Sequence, residues 1–511
     1  MRALISVYDK SGLVTFARGL ADLGFELVAS GGTATALQEA GLEPTRVEDV
    51  TSFPELLDGR VKTLHPRIHA GILARRDVQE DVAAIEEHGI EPIDLVCVNL
   101  YPFEQATGGL GLEEAEIIEL IDVGGPSLLR AAAKNHDHVT AICRPQDYDE
   151  VLAELRERNG ETSPETRRRL ASVAFAVTAA YDSAISRWFQ GVEEMPDTFV
   201  PTFDKALELA YGENPQQGAA YYAERGRRTH VLSRVEQLAG KPLSFNNVND
   251  LSTGRLLIRE LDHPGCVIVK HANPCGVAIA ERIEDAYARA LAADPVSAYG
   301  GVVVFNRAVT AALGEALKGQ FVEVLFAPGY DEQAMEALAG KASVRILNDT
   351  ERRALVETER DYRRVLGGLL VQDRDWDLPD RERMELVCGE VANDQWLDLL
   401  FAWRVVKHVT SNAIVLARRG QTLGIGAGQT SRVDAVRLAV EKARSLGHDL
   451  DGAVLASDAF FPFADGVEVA LEAGIETIIQ PGGSKRDDEV VDAVRSAGRA
   501  MVLTHRRHFR H

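Results

Sequence analysis

A lysine and a histidine stand side by side in Val269-Lys270-His271-Ala272-Asn273-Pro274-Cys275-Gly276. The preceding run, Gly265-Cys266-Val267-Ile268, reads as a short buried strand. Asn273-Pro274 followed by Gly276 reads as a sharp turn beyond it. Lys and His are the side chains most easily tuned to move protons near neutral pH, and strand ends are where open α/β folds bind ligands. The plain alternative is a strand end with two solvated basic residues. The chain repeats the pattern in Val406-Lys407-His408, with Asn412 shortly after. Each copy is followed by a small-residue run meeting an aromatic, Ser297-Ala298-Tyr299-Gly300-Gly301 in one and Ser457-Asp458-Ala459-Phe460-Phe461 in the other. Such self-similarity points to an internal duplication, which would set two equivalent loops around a cleft.

A second chemistry is written near the N-terminus. Ser30-Gly31-Gly32-Thr33 lies between an expected strand and an expected helix. Glycines there let backbone N–H groups turn toward one point, as a phosphate requires; a tight turn with Thr33 as N-cap is the alternative. Asp58-Gly59-Arg60-Val61-Lys62-Thr63-Leu64-His65-Pro66-Arg67-Ile68-His69 is a cationic run without helical period. Asp122-Val123-Gly124-Gly125-Pro126-Ser127 is a second glycine turn, opening a helix that carries Arg130 and Lys134. These ends are expected to converge on one pocket holding Lys10, Arg60, Lys62 and Lys134. A lysine among cations has a lowered pKa and shuttles protons near neutrality.

The elements that must position these residues follow from periodicity. Arg2 to Tyr8 reads as a strand, Leu13 to Leu23 as an amphipathic helix ended by Gly24, Phe25 to Ala29 as the next strand, and a helix then runs to Ala40. Alternating strands and helices predict a parallel sheet. Further strands are expected at Ile93–Leu100, His138–Cys143 and Val302–Phe305, and a long helix near Thr166–Trp188. Gln190 to Pro201 reads as a linker. The amide-rich run Lys241 to Asp250 reads as a loop knitted to a neighbour. Gly424-Ile425-Gly426-Ala427-Gly428 lacks dinucleotide spacing and reads as close backbone packing. The cationic tail His505–His511 reads as a frayed end, except that Phe509 suggests docking.

With 511 residues, two to four domains are expected at roughly 100–200 residues each. A net charge of −22, from 78 acids against 56 bases, argues against nucleic acid and anionic membranes as partners. Five scattered cysteines argue for reduced thiols. No apolar run reaches the ~18 residues of a membrane span and no signal-peptide pattern opens the chain, so a cytoplasmic location is expected. Asn273-Pro274-Cys275-Gly276 starts like a zinc-deaminase motif, but Ala278 stands where the second Cys would be, so no zinc is expected.

Taken in order, these motifs resemble the bifunctional purine-biosynthesis family that joins AICAR (phosphoribosylaminoimidazolecarboxamide) formyltransferase to IMP (inosine monophosphate) cyclohydrolase. The likeness runs from Ser6-Val7-Tyr8-Asp9-Lys10 to His511, through Leu27–Thr33, Gly59–Pro66, Asn99-Leu100-Tyr101-Pro102, Leu129–Asn135, Lys270–Gly276, Gly424–Arg432, Leu455–Phe463 and Gln480–Ser484. The resemblance implies an α/β fold: a methylglyoxal-synthase-like parallel-sheet domain at 1–195, then a tandem pair of cytidine-deaminase-like α/β domains at 202–365 and 366–511. It implies 10-formyltetrahydrofolate as cosubstrate, AICAR, FAICAR and IMP as further ligands, no catalytic metal, room for a structural monovalent cation, and a homodimer with transferase sites built across two subunits.

The same resemblance implies roles. Lys134 would shuttle the proton of ring closure, and Tyr101 and Asp122 would hold the carboxamide. The nucleotide would lie against Tyr8, Asp9, Lys10, Ser30, Gly31, Gly32, Thr33, Arg60, Val61, Lys62, Thr63, Val98, Asn99, Val123, Gly124 and Gly125. In the transferase, His271 would take the proton, Lys270 would stabilise the transition state, and Asn412 would face the formyl group. Tyr211, Gly300, Glu323, Arg432, Phe460, Pro462, Asp465 and Arg507 would contact nucleotide and folate. Two positions depart from the family pattern: Ala210 stands for an Arg that helps hold the phosphate, and Gln216 for a His. Losing a charge-assisted contact costs about 1.5–3 kcal/mol, so a cyclohydrolase with an impaired transferase half is one alternative. A non-catalytic nucleotide-binding regulator is another, opposed by the retained Lys134, Lys270 and His271.

Overall fold

Leu13, Phe16, Ala17 and Leu20 are buried along one side of the helix Leu13–Asp22, as their three-and-four spacing requires. This computed structural model describes residues 1–511 apart from 55, 58–59, 102, 108–110, 192–194, 227–228 and 354–358, and the side chain of 105. Asp58, Gly59 and Pro102 of the sequence motifs therefore lie outside the described residues. The chain divides into two compact units, Met1–Thr202 with Glu224–Gly226, and Phe203–Ala223 with Arg227–His511.

The first unit is built on five strands: β1 (Arg2–Val7), β2 (Glu26–Ala29), β3 (Thr45–Arg46), β4 (Leu95–Asn99) and β5 (Thr140–Ile142). All pairings are parallel, in the order β3-β2-β1-β4-β5. Both faces are buried. Ala3 and Ile5 enter one core while Leu4 enters the other, which is why the strand reads as a continuous apolar run. The chain moves outward from β1 to β3, then restarts on the other side at β4. That reversal opens a crevice between the carboxyl ends of β1 and β4, the place where such sheets bind ligands. The long helix forms as Pro164–Gln190, capped by the Ser163 hydroxyl. Residues 195–202 cluster with this unit, and Ser183 bonds the Val200 carbonyl, so the expected linker packs on the first unit.

The second unit carries β6 (Phe203–Leu209), β7 (Ala219–Glu224), β8 (Val235–Ala239), β9 (Gly265–Lys270), β10 (Asn273–Ile279), β11 (Gly301–Phe305), β12 (Val322–Ala327) and β13 (Arg345–Asp349). It continues with β14 (Arg360–Val365), β15 (Gly368–Asp373), β16 (Glu385–Cys388), β17 (Ile414–Arg418), β18 (Gln421–Gly426), β19 (Val454–Ser457), β20 (Thr477–Gln480) and β21 (Ala500–Leu503). Twelve of them form one sheet, ordered β16-β21-β20-β19-β17-β18-β10-β9-β11-β12-β13-β8.

That order is a palindrome of architecture. Outward from the centre, β10-β9-β11-β12-β13-β8 matches β18-β17-β19-β20-β21-β16, and the central pair is antiparallel. The helices correspond as well: Phe245–Arg259 with Asn393–Val406, and Ile283–Ala293 with Arg432–Ser445. The duplication expected from sequence is therefore present, related by a pseudo-twofold axis through the sheet. The two halves share one face: Val267, Val269 and Val304 join Val415, Ala456 and Ile479 in a single core with Trp403. On the opposite face each half has its own core. The expected boundary at 365/366 falls at the tip of the β14–β15 hairpin, outside this sheet.

The glycines of Gly424-Ile425-Gly426 serve close packing. A Cβ at Gly424 or Gly426 would lie 2.2 or 2.0 Å from the carbonyl oxygens of Ala439 and Ala435. Among the described residues no helix is long and apolar enough to cross a membrane, and the cysteines are free thiols.

Candidate active sites

In the first unit, the crevice between β1 and β4 gathers most of the residues singled out above. The Asn99 side chain bridges it: Oδ1 accepts from Tyr8 N at 2.6 Å and Asp9 N at 2.9 Å, while Nδ2 donates to the Asp9 carbonyl. Tyr8 and Tyr101 meet at the opening with ring centroids 5.0 Å apart and their planes tilted by 54°. The helix Gly31–Glu39 begins at the end of β2 with Ser30, not Thr33, as its N-cap. Ser30 shares a 2.8 Å hydrogen bond with Ser6. Thr33 is buried, and its hydroxyl is spent on the Val7 backbone.

Lys62 and Thr63 thread between the two glycine turns. A Cβ at Gly31 would lie 2.7 Å from Lys62 Nζ, and one at Gly124 would lie 2.8 Å from Thr63 Oγ1. A larger residue at either glycine would make these side chains shift. Lys62 also stands 3.8 Å from the Glu48 carboxylate. Asp122 accepts from Gly125 N at 2.8 Å, and burial pushes its carboxyl above the usual range. Val98 is buried in the core, so it offers only backbone here. Val61, Val123 and Lys10 are exposed. Arg60 is exposed and ion-paired with Glu119.

Lys134 does not join them. It is the last residue of the helix Gly124–Lys134, whose first residues stand at the crevice. At ~1.5 Å rise per residue the helix carries it ~15 Å away. The next residue, Asn135, bonds the carbonyls of Ile72 and Ala74, and Ile93 N bonds the carbonyl of Gly71 just before β4 begins. The helix runs against the strands, so Lys134 stands at the end of the helix away from the Gly124-Gly125 turn.

In the second unit, Lys270 and His271 sit at a hairpin. His271 and Ala272 have φ of 53° and 58°, a two-residue turn with both central residues left-handed. The turn is thus at His271-Ala272. Asn273-Pro274, expected to make it, instead begins β10. The Asp250 carboxylate accepts from Ala272 N at 2.6 Å and holds the corner, and burial raises its pKa. Lys270 Nζ donates to the carbonyls of Tyr299 and Gly300 at 3.2 and 2.8 Å, which points the ammonium along the sheet edge. His271 is exposed.

Asn412 lies on the same edge, just before β17. Thr410 N donates to Asn273 Oδ1 at 2.8 Å, joining the two loops. Arg432 gives Asn412 Oδ1 a 2.7 Å hydrogen bond and is ion-paired with the buried Asp458. Its guanidinium also reaches Ser457 and the Ala413 carbonyl, so Arg432 orients Asn412. Tyr211 runs beside Phe245. Glu323 accepts from Asn247 Nδ2 at 2.8 Å, and Asn246 bonds the Glu213 carbonyl, so the amide-rich run knits neighbours together, but from Phe245 on it is the start of a helix and not the expected loop. Phe460, Asp465 and Arg507 are exposed and Pro462 is half-buried, beyond the ends of β19 and β21 on this same edge.

The second Lys-His pair is not a copy of the first. Lys407 and His408 end the helix Asn393–Val406 and both bond Glu260 Oε1, at 3.0 and 2.9 Å, in a buried cluster. The duplicate of the Lys270-His271 hairpin is Arg418–Gln421, with left-handed Arg419 and Gly420 at its corner.

A family model described as AICARFT/IMPCHase bienzyme matches residues 132–442. The chain belongs to this family. A second model, MGS-like domain, matches residues 12–127. The bifunctional purine biosynthesis protein PurH of Persephonella marina is 50% identical over 519 residues, spanning 100% of this chain and 99% of its own. That of Magnetococcus marinus is 48% identical over 527 residues, again spanning 100% of this chain and 99% of its own. A solved structure titled "Crystal structure of ForH" is 40% identical, with a TM-score of 0.34, covering 37% of this chain and 98% of that one. In this bienzyme of purine biosynthesis the crevice between β1 and β4 and the edge bearing Lys270 and Asn412 thus lie in separate units.

Sequence reasoning missed three residues that hold the edge bearing Lys270 and Asn412 in place. Asp250 was visible only as part of an amide-rich run. Asp458 sits in a small-residue run, with nothing to mark it as the partner of Arg432. Arg510 lies in a tail that read as frayed. Its guanidinium donates to Thr253 Oγ1 at 2.6 Å and to the carbonyls of His408 and Ala272. Its backbone pairs with Ser411 in both directions. The tail is docked, as Phe509 suggested, but through Arg510 and the buried His508; Phe509 itself is 42% exposed.

Proposed function

We propose that the unit Met1–Thr202 closes FAICAR to IMP and that the double-repeat unit transfers the formyl group of 10-formyltetrahydrofolate to the 5-amino group of AICAR. On this reading the cyclohydrolase occupies 1–195 and the transferase repeats 202–365 and 366–511. The observation that carries the transferase assignment is the Lys270-His271 hairpin on one sheet edge with Asn412. The ring amine attacks the formyl carbon, and exposed His271 takes its proton. The oxyanion that develops meets the Lys270 ammonium, aimed by two carbonyls, while the Asn412 amide, oriented by Arg432, faces the formyl group. Collapse, with that proton passed on to the departing folate nitrogen, releases tetrahydrofolate.

In the first crevice the nucleotide phosphate is proposed at the N-terminus of the helix Gly31–Glu39, where Lys62 supplies positive charge. Tyr101 and Asp122 hold the carboxamide. Its nitrogen attacks the formyl carbon, and the oxyanion departs as water. Lys62, rather than Lys134, is the lysine positioned to move that proton.

The reading includes a homodimer in the cytoplasm, with transferase sites completed across subunits. Within one chain, Phe460, Pro462, Asp465 and Arg507 stand beyond β19 or β21. β19 and β9 are four strand spacings apart, ~19 Å. A second copy would bring the folate-side residues to Lys270.

Ala210 favours the impaired-transferase alternative, but Arg345 argues against it. Ala210 N bonds the Leu243 carbonyl, and Arg345 Nε bonds the adjacent Pro242 carbonyl at 3.1 Å. A buried guanidinium therefore stands beside the strand that lacks the family Arg. Each half-reaction assayed separately on the purified chain tests the reading. His271→Ala should lower formyl transfer by roughly 10²–10⁴-fold and leave ring closure intact. Loss of both activities would refute two independent sites, and formyl transfer at ordinary AICAR concentration would remove the impaired alternative.

A further inference from the structure

The pseudo-twofold axis pairs the Lys270-His271 turn with a second turn, and that second turn borders a cavity. β10 and β18 are antiparallel, so the turn that opens β10 and the turn that opens β18 lie at opposite edges of the sheet. The second turn repeats the first closely. Asp398, on the helix Asn393–Val406, accepts from Arg419 N at 2.6 Å and Gly420 N at 2.7 Å. It thus plays the part of Asp250. The chemistry differs. Where the first half presents Lys270 and His271, the second presents Arg418 and Arg419. No base and no lysine occupy the corner, so proton transfer is gone and positive charge remains.

These arginines line a cavity of about 410 Å³, completed by Arg289, Gln421, His448 and Asp449, with Leu423 its one apolar wall. That volume lies in the range of small-ligand sites, ~300–1,000 Å³, and the lining excludes an apolar guest. Three arginines face Asp449 in the wall and Asp398 behind the turn, and Asp285 lies in the field of Arg289. Asp449 is taken up by Arg418 at 3.1 Å, and Asp398 by the two turn amides. Arg289 is fixed by the carbonyls of Ile279 and Arg419 and by Gln421 Oε1, which makes it a preset charge. The Arg419 side chain is exposed. In a chain of net charge −22, this hollow concentrates cations.

We propose that this cavity is a binding site for a small molecule bearing a phosphate group, a site left from the duplication that kept its turn and cavity and exchanged catalysis for anion recognition. Guanidinium forks match phosphate oxygens in geometry. Because the site is at the far edge from Lys270, occupying it leaves the formyl-transfer residues uncovered.

The test uses inorganic pyrophosphate as probe and the full-length protein. Bound pyrophosphate is counted by equilibrium dialysis, and hydrogen exchange is followed with and without it. The wild type should show slowed exchange at 418–421 and 447–449. Arg419→Glu should bind one pyrophosphate fewer per chain and lose that protection, with both half-reactions unchanged in its absence. Arg419→Gln should weaken the site roughly ten- to a hundred-fold, the cost of one charge-assisted contact. Equal pyrophosphate counts in the wild type and Arg419→Glu, or protection confined to other segments, would overturn the proposal.

Discussion

Asp250 holds the amide of Ala272 at 2.6 Å, from the middle of the helix Phe245–Arg259. The bond reaches across 22 residues of sequence and fixes a corner that costs roughly 1–2 kcal/mol for each left-handed residue. His271 is one of those residues, so the direction of its imidazole depends on a carboxylate it need not touch. Asp250→Ala should release the corner and lower formyl transfer by roughly 10²-fold, the effect of about 1 Å of misplacement. Ring closure should be unaffected, and separate assays of the two half-reactions give the ratio. Unchanged formyl transfer would mean that the turn holds itself.

The two lysines of the first unit separate a reading from resemblance and a reading from geometry. Lys62 Nζ sits over Gly31 at the crevice, while Lys134 ends the helix whose other end is there. Lys62→Ala should reduce ring closure at least ~10-fold more than Lys134→Ala, since general acid–base contributions run to ~10²–10⁴. Steady-state rates on FAICAR with each variant decide it. A larger loss on Lys134→Ala would show that this lysine reaches the substrate by a route absent from the single chain.

How far the sequence carried depends on which forces were local. β1, the helix Leu13–Asp22 and the glycine turns were legible because apolar period and backbone freedom are properties of a few neighbouring residues. The same logic misled at Lys407-His408. The tripeptide matches Val-Lys-His, but a helix end and a strand end read alike over three residues, and only the pairing with Glu260 distinguishes them. The turn at His271-Ala272 was hidden because it lacks the glycine that usually marks such a corner and Ala272 rarely turns left-handed; Asp250 and tertiary packing impose it. The twelve-stranded sheet was not legible at all. Its central seam pairs Ala278 with Gln421 and is reinforced by the Thr422 hydroxyl bonding Val277 N and O, contacts some 140 residues apart.

Asp122 gives the first unit a pH signature. Burial raises its carboxyl above the usual range, against the pull of the Gly125 and Gly124 amides. A raised folded-state pKa means the proton is held more tightly in the folded chain. The resulting stability is present below the unfolded pKa, ~3.9, and is lost as pH rises through the folded value. At neutral pH the ionised carboxylate therefore costs stability. Asp122→Asn should raise the thermal midpoint of the unit near pH 7, with the gain fading toward pH ~4. Ring closure should fall roughly ten- to a hundred-fold. Calorimetry against pH, with FAICAR turnover on the same samples, tests both. A variant less stable at neutral pH would mean that Asp122 is held ionised by a partner the single chain lacks.

Arg510 ties the two loops of the transferase edge together. Its side chain reaches Ala272 directly and through Thr253, whose hydroxyl donates to the same carbonyl at 3.2 Å. Its backbone holds Ser411, next to Asn412. The hairpin bearing His271 and the loop bearing Asn412 thus share one anchor from the last residues of the chain. Arg510→Met keeps much of the buried stem and removes these donors, so formyl transfer should fall while the fold survives. Arg510→Lys should rescue little, because one ammonium cannot span the acceptors a guanidinium fork reaches. The loss should appear in kcat more than in the KM for AICAR, since the anchor sets the alignment of reacting groups rather than the grip on the nucleotide. If Arg510→Lys restores full turnover, the tail supplies only charge, and alignment of the two loops must come from Asn273 and Thr410 alone.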